Sequence, residues 1–323
     1  MSADPLHGAT ALVTGGAGFI GSHLVDALLA SGARVRVLDN FATGSRRNLE
    51  HVSSRIELLE DDIRDPGACR RACSGAAFVF HQAALGSVPR SMADPATTLA
   101  VNVGGTANVL AAAHAEGISR VVYASSSSVY GDSPRLPKRE GEEGSPLSPY
   151  ALSKVMDEQL AAHFTTVFGL EAVGLRYFNV YGPRQSPEGP YAAVIPRFFA
   201  AYAARQAPVI YGDGEQSRDF TYVGDAVAAN LAAALAPAAV AGKAFNVAAG
   251  RAVSVNELAA QVRDLAGGGP PPEHRPPRAG DVRSSLADLG CVREALAWQP
   301  SVALVEGLAH TAGWFLAGPA ETI

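Results

Sequence analysis

Through its first 178 residues the chain alternates two apolar rhythms. Short runs rich in branched residues, at 10–14, 34–39, 55–59, 77–81, 120–125 and 171–177, have the length and composition of strands. Between them apolar residues recur at helical spacing, as from Phe19 to Ala30 and over 96–113 and 150–168. Strands and helices in strict alternation predict an α/β protein built on a doubly wound parallel sheet. After residue 178 the texture changes. Gly and Pro punctuate 182–190, 212–214 and 267–277, leaving only short elements between them. The expectation is a first domain over 1–178 and a smaller α+β domain over 179–323, some of whose segments return to the first. Gly267 to Pro277 reads as a loop or semi-rigid linker, and Gly318 to Ile323 as a frayed tail.

Composition narrows the class without naming it. With 323 residues, 48% of them hydrophobic, the chain can bury a substantial core. A formal net charge of −5 gives no global attraction to nucleic acid or an anionic membrane, so an anionic ligand must meet local arginines. No apolar run reaches the roughly 18 residues of a membrane span, and Met1 to Thr10 lacks the apolar segment of a secretory signal, so a cytoplasmic protein is expected. Cys69, Cys73 and Cys291 cannot all pair. No Cys/His cluster stands near them, so they are read as structural and no metal is expected.

The first chemical signal is Thr14-Gly15-Gly16-Ala17-Gly18-Phe19-Ile20-Gly21-Ser22, which joins the first strand to the first helix. Glycines at 16, 18 and 21 fit G-x-G-x-x-G, in which the first permits a tight turn, the second lets backbone approach a pyrophosphate, and the third lets helix approach strand. The helix N-terminus adds unpaired N–H groups and partial positive charge. This is the phosphate cradle of a Rossmann-type fold. The second strand ends at Asp39, 18 residues beyond Gly21, where a carboxylate accepts hydrogen bonds from the adenosine ribose of NAD and repels the extra phosphate of NADP. Asp62, after the third strand, either meets the adenine amino group or caps a turn.

The second signal is Ser148-Pro149-Tyr150-Ala151-Leu152-Ser153-Lys154. Pro149 suits a helix start, and Tyr150 and Lys154, at i and i+4, share one face of that helix. A phenol is a poor base at neutral pH, but a neighbouring ammonium favours the phenolate. Upstream, Ser125-Ser126-Ser127-Ser128 closes the strand at 120–125, at the sheet end where open α/β sheets place ligands. His81, also at a strand end, has no second ligand nearby and reads as a structural histidine.

Taken together these residues resemble the extended short-chain dehydrogenase/reductase family, and within it the nucleotide-sugar 4-epimerases. The likeness runs from about residue 10 to 315, through the glycine loop, H-Q-A-A (81–84), Asn102 with Gly105-Thr106, the serine strand end and Y-A-L-S-K (150–154). It continues through R-Y-F-N-V-Y-G-P-R-Q (176–185), Y-G-D-G-E-Q-S-R-D-F (211–220) and R-A-G-D-V-R-S-S-L-A-D (278–288). The resemblance implies tightly held NAD, a homodimer formed through the helices at 96–113 and 150–168, and Ser126, Tyr150 and Lys154 as the catalytic group. It implies a cofactor wall of Gly15, Gly18, Phe19, Ile20, Gly21, Asp39, Asn40, Asp62, Ile63, Ala83, Ala84, Asn102, Ser125 and Tyr177 beside Tyr150 and Lys154. For the nucleotide sugar it implies Ser87, Ser126, Ser127, Ser128, Tyr150, Asn179, Arg184, Ala193, Val194, Tyr211, Arg218, Arg278, Asp281 and Ser285.

The activity so implied is reversible inversion at C4 of a UDP-hexose through a transient 4-keto sugar. Dehydratases and decarboxylases on the same scaffold carry acids where this chain has Ser127-Ser128, so return of the hydride is the favoured exit. A non-catalytic NAD sensor is the remaining alternative, and it has no need of all three catalytic side chains. Two substrates stay open. Ser285 stands at a gate position filled by a bulky tyrosine in some relatives. Gly86-Ser87-Val88-Pro89-Arg90 and Tyr191 to Pro196 look most like epimerases of N-acetylhexosamine nucleotides. Arg90 and Arg184-Gln185 instead suit the carboxylate of UDP-glucuronate.

Overall fold

The computed structural model describes residues 5–188, 192–277 and 283–316. Six strands of the first half, β1 (Thr10–Thr14), β2 (Arg34–Leu38), β3 (Ile56–Leu59), β4 (Phe78–His81), β5 (Arg120–Ser126) and β6 (Ala172–Tyr177), fall within a residue or so of the runs read from the sequence. They pair in parallel in the order β3-β2-β1-β4-β5-β6, and Ala244–Val247 adds a seventh parallel strand outside β6. The order reverses between β1 and β4. Loops diverge at such a point and leave a crevice beyond the carboxyl ends of the strands.

Burial on both faces explains why these strands are nearly continuous apolar runs. Along β1, Ala11 and Val13 face a cluster that includes Leu24 and Leu28 of helix Phe19–Ala30 and Ala226 and Ala233 of helix Val223–Leu235. Leu12 faces the opposite cluster, with Val109 and Leu110 of helix Gly105–Ala115 and Ala161 of helix Pro149–Phe168. Cys69 and Cys73 lie buried in that second cluster, and burial pushes each thiol up to about 12, which keeps it protonated and inert. A third cluster gathers Phe198, Phe199, Ile210, Phe220, Leu258 and Leu308 from elements after residue 178.

Two local expectations change. The helical pattern at 96–113 is realised as Pro95–Leu99, a single wide π turn at Ala100–Gly104, and Gly105–Ala115. Such turns occur where a side chain must reach a target that regular helical geometry would miss. Here the side chain is that of Asn102, which holds Leu85 and Ser153. The stretch read as a linker contains the strand Glu273–Arg275, paired in parallel with Val209–Tyr211. Prolines flank it, and the three residues between are free to form a ladder. The tail at 318–323 lies outside the described residues. Among the described residues no helix is long and apolar enough to cross a membrane.

Candidate active site

A cleft of about 790 Å³ opens at the carboxyl ends of β1, β2, β4, β5 and β6. Its floor is the glycine loop. Gly15 takes the left-handed backbone conformation, φ 68°, and a Cβ there would stand 2.7 Å from the Ala83 backbone. Gly16, the first glycine of the sequence motif, has no left-handed φ and is small because Val37 crowds it at 2.8 Å. The tight turn therefore belongs to Gly15, a correction to the motif's first position. A Cβ at Gly21 would stand 2.1 Å from the Gly15 carbonyl oxygen. Helix Phe19–Ala30 starts from Gly18 with no side-chain cap, so the N–H groups of its first turn remain available to an anion.

Phe19 and Ile20 also line the cleft, and Asp39 and Asn40 form its far end. The Asp39 carboxylate accepts from the N–H of Ala17 at 2.9 Å and of Phe41 at 2.8 Å, which ties the end of β2 to the glycine loop. Burial raises its pKa, and these two donors pull it back. One acceptor position on each oxygen remains for a ribose hydroxyl. Asp62 and Ile63 stand beside it. Asp62 takes the Arg64 guanidinium and the Asn40 amide and is held down at about 2, chiefly by Arg64. Ala83 and Ala84, after β4, form the adjoining wall.

Ser125, Ser126, Ser127, Tyr150, Lys154 and Tyr177 close the other end. Ser148 caps helix Pro149–Phe168 by accepting from the Ala151 N–H, with Pro149 in the first turn, and this sets Tyr150 facing the end of β5. Lys154 is buried, and its ammonium donates to the Ala124 carbonyl at 2.9 Å and to Asp157 at 3.1 Å. Burial alone would lower its pKa, but the attraction of Asp157 and Tyr150 carries it above the ordinary lysine value. The Ser126 hydroxyl accepts from Ser128, backbone and side chain. The Ser125 hydroxyl is engaged by Glu158, and Tyr177 is fixed between Gln82 and Asn230. His81 is bonded by Thr14 and Thr106, and burial, with a smaller effect of Lys154, lowers its pKa to about 3, so it is a neutral structural residue.

A second cavity of about 440 Å³ adjoins the first, and Asn179, Val180, Gln185 and Ala193 line both. Val194, Tyr211 and Arg218 line the second alone. Several expected residues stand elsewhere. Asn102 is fully buried behind the wall, its amide engaged by Leu85 and Ser153. Ser87 starts the helix Val88–Ala93 by accepting from the Arg90 N–H, and Ser128 supports Ser126 from outside the cleft. Arg184, in a left-handed conformation, turns to an ion pair at 2.7 Å with Asp26 on the first helix. Ser285 is on neither wall. Its backbone N–H donates to the Ser217 carbonyl at 3.1 Å. Arg278 and Asp281 lie outside the described residues.

Gln185 is the residue that the structure brings forward. Its Nε2 donates to the Val180 carbonyl at 3.0 Å, while Oε1 is buried with no partner. Reversing the amide would set two oxygens against each other, so Oε1 remains an acceptor without a partner, sealed behind the surface at the junction of the cavities. Its presence in P-R-Q was visible, but its amide orientation depends on the fold around Val180.

Residues 11–248 match the model of the NAD dependent epimerase/dehydratase family. The chain is 41% identical over 308 residues to the UDP-glucose 4-epimerase of Mycolicibacterium smegmatis, covering 94% of this chain and 97% of that one. It is 34% identical over 318 residues to the UDP-N-acetyl-alpha-D-glucosaminuronate decarboxylase of Bacillus cytotoxicus, covering 94% and 97%. Among solved structures it superposes with a TM-score of 0.92 on the UDP-N-acetylglucosamine 4-epimerase from Methanobrevibacter ruminantium M1 in complex with UDP-N-acetylmuramic acid. The identity there is 37%, with 96% of this chain and 99% of that one covered.

Proposed function

The chain belongs to the NAD-dependent epimerase/dehydratase family and is a UDP-sugar 4-epimerase, and from this premise we propose that its preferred substrate is UDP-N-acetylglucosamine. The observation that carries the choice is the small side-chain lining of the cleft, which leaves room for an acetamido group. Ala84, Gly86 and Ala193 line the cleft, and a Cβ added at Gly86 would meet nothing within 4 Å.

The cofactor residues fit NAD. A Cβ on Gly15 or Gly21 would clash with backbone in the cradle, the helix beyond it begins without a side-chain cap, and Asp39 keeps acceptor capacity for a ribose. Bound NAD supplies the hydride acceptor and donor for C4. Tyr150, as phenolate, takes the proton of the 4-hydroxyl, and Ser126 hydrogen-bonds the same oxygen. Lys154 favours the phenolate by its charge. Asn179, Tyr211 and Arg218 hold the nucleotide diphosphate in the second cavity, on elements of the 179–323 region. Affinity placed there leaves the hexose free to turn and present its other face. Tyr150 then returns the proton. The carboxylates of the cleft, Asp39, Asp61 and Asp62, stand at its β2–β3 end. Among the described residues none lines it beside Tyr150, so elimination of water lacks a base there.

A second reading, UDP-glucuronate, rests on Arg90. It lines the cleft, and its guanidinium has no partner among the described residues. Turnover of UDP-N-acetylglucosamine, UDP-glucuronate and UDP-glucose measured side by side tests the choice, and a clear preference for either of the last two overturns it. The working form is a cytoplasmic homodimer in this reading. Leu152 and Met156, exposed one turn apart on helix Pro149–Phe168, give the apolar contact, and Met156→Glu should yield a monomer by light scattering.

A further inference from the structure

Lys154 has three donors, and the structure uses two of them before any ligand arrives. One goes to the Ala124 carbonyl at the end of β5, a neutral dipole. The other goes to Asp157, three residues along the same helix and, like Lys154, almost wholly removed from water. A carboxylate at full burial is costly and persists only where a partner compensates it. Among the described residues it touches no other cation, and it lies one helical turn behind the lysine that faces Tyr150.

We propose that Asp157 is a positioning residue for proton transfer, in that it fixes the Lys154 ammonium in place and sets how much of its charge reaches the Tyr150 hydroxyl. The inference rests on the reading of Tyr150 as the base. The surroundings leave Asp157 as the one free-standing compensating charge. On the same helix Glu158 is neutralised by Arg176 of β6, through bonds of 2.9 and 2.8 Å. From β4, His81 is neutral, with its pKa lowered to about 3 by burial and then by Lys154. From β5, Tyr123 stays protonated because burial, aided by Glu158 and Asp157, holds its pKa well up. From helix Gly105–Ala115, Thr106 presents a neutral hydroxyl that His81 holds.

Removing the charge of Asp157 therefore has two effects of one sign. The ammonium loses its stabilising partner in a buried place, so Lys154 gives up its proton at lower pH. While it remains charged, nothing offsets its pull on Tyr150, so the phenol also ionises at lower pH. Both effects carry the pH profile of the variant in the same direction.

The test is the pH profile of kcat/KM for the holoenzyme and its Asp157→Asn variant, with the phenolate difference spectrum recorded over the same range. Tyr150→Phe serves as the blank. Both limbs should move to lower pH by about one unit or more, and the Tyr150 phenolate should appear correspondingly earlier. Asp157→Glu, which keeps the charge, should hold the limbs near wild type and supplies the comparison if the asparagine variant folds poorly. Limbs and phenolate titration unchanged in Asp157→Asn, whatever happens to the plateau, or limbs displaced equally in Asp157→Glu, would overturn the proposal. A phenolate signal that persists in Tyr150→Phe would instead count against Tyr150 as the base.

Discussion

Gly18 and Gly21 stand three residues apart in one loop, yet the structure gives them different work, and alanine separates the two. At Gly21 the new Cβ would stand 2.1 Å from the Gly15 carbonyl oxygen, 2.9 Å from the Gly15 carbonyl carbon and 2.9 Å from the Gly16 Cα. All three are backbone atoms, so relief requires helix Phe19–Ala30 to back away from β1 by about an ångström, at the upper end of the 1–3 kcal/mol of an overpacked site. For a chain of this length the unfolding entropy is about 0.7 kcal/mol/K, so Tm should fall by about 4 °C. At Gly18 the new Cβ meets one atom, the Gly15 oxygen, at 3.1 Å. The protein tolerates that, but the methyl projects where a pyrophosphate must approach the backbone. Gly18→Ala should therefore keep Tm within about 1 °C of wild type when both are stripped of NAD, yet lose its NAD-induced stabilisation and bind the cofactor at least 100-fold more weakly, about 2.7 kcal/mol. Scanning calorimetry with and without NAD, together with the NAD content of the purified variants, reads both effects. A Gly21→Ala protein as stable as wild type, or a Gly18→Ala protein that holds NAD normally, would refute the reasoning.

Other consequences are equally direct. Tyr150→Phe should lower kcat by 10²–10⁴, the usual worth of a positioned base, while leaving the bound NAD in place. Gly86→Leu, which adds bulk where the cleft wall is open, should raise KM for UDP-N-acetylglucosamine by about tenfold with less change for UDP-glucose, and equal changes for both would contradict the small-lining argument. Stability against pH carries two opposed signatures. His81 has a folded pKa of about 3 against an ordinary 6.5, so the unfolded chain binds the extra proton and stability falls as pH drops from 6.5 toward 3. Asp219 is raised to about 6 by burial, offset in part by the N–H groups of Ala287, Ala249 and Gly250. Its native state binds the extra proton, so the stability it gives is present below about 4 and lost as pH rises through 6. Urea unfolding between pH 4 and 6 should show a steeper loss toward acid in Asp219→Asn than in wild type. Parallel curves would dismiss the Asp219 shift.

The sequence by itself determined what short-range rules govern. Strand and helix periods fixed the parallel sheet, and the glycine loop followed because a Cβ at Gly15, left-handed at φ 68°, or at Gly21 would clash with backbone. The i, i+4 spacing put Tyr150 and Lys154 on one face before any neighbour was known. Whatever depended on a partner distant in sequence was settled by tertiary structure. Arg184 looked available to a substrate, but Asp26, far earlier in the chain, lies against it once the 182–188 segment crosses the first helix. Asn102 sat inside an apparently regular helical pattern, and only the wide turn and the backbone of Leu85 explain its burial. Asp157 falls within the helical run at 150–168, and only packing against β5 seals it beside Lys154. Local geometry is encoded by each residue's own conformational limits and spacing. The charge that a group carries, and what it faces, are set by the solvent it loses and the partners it gains on folding.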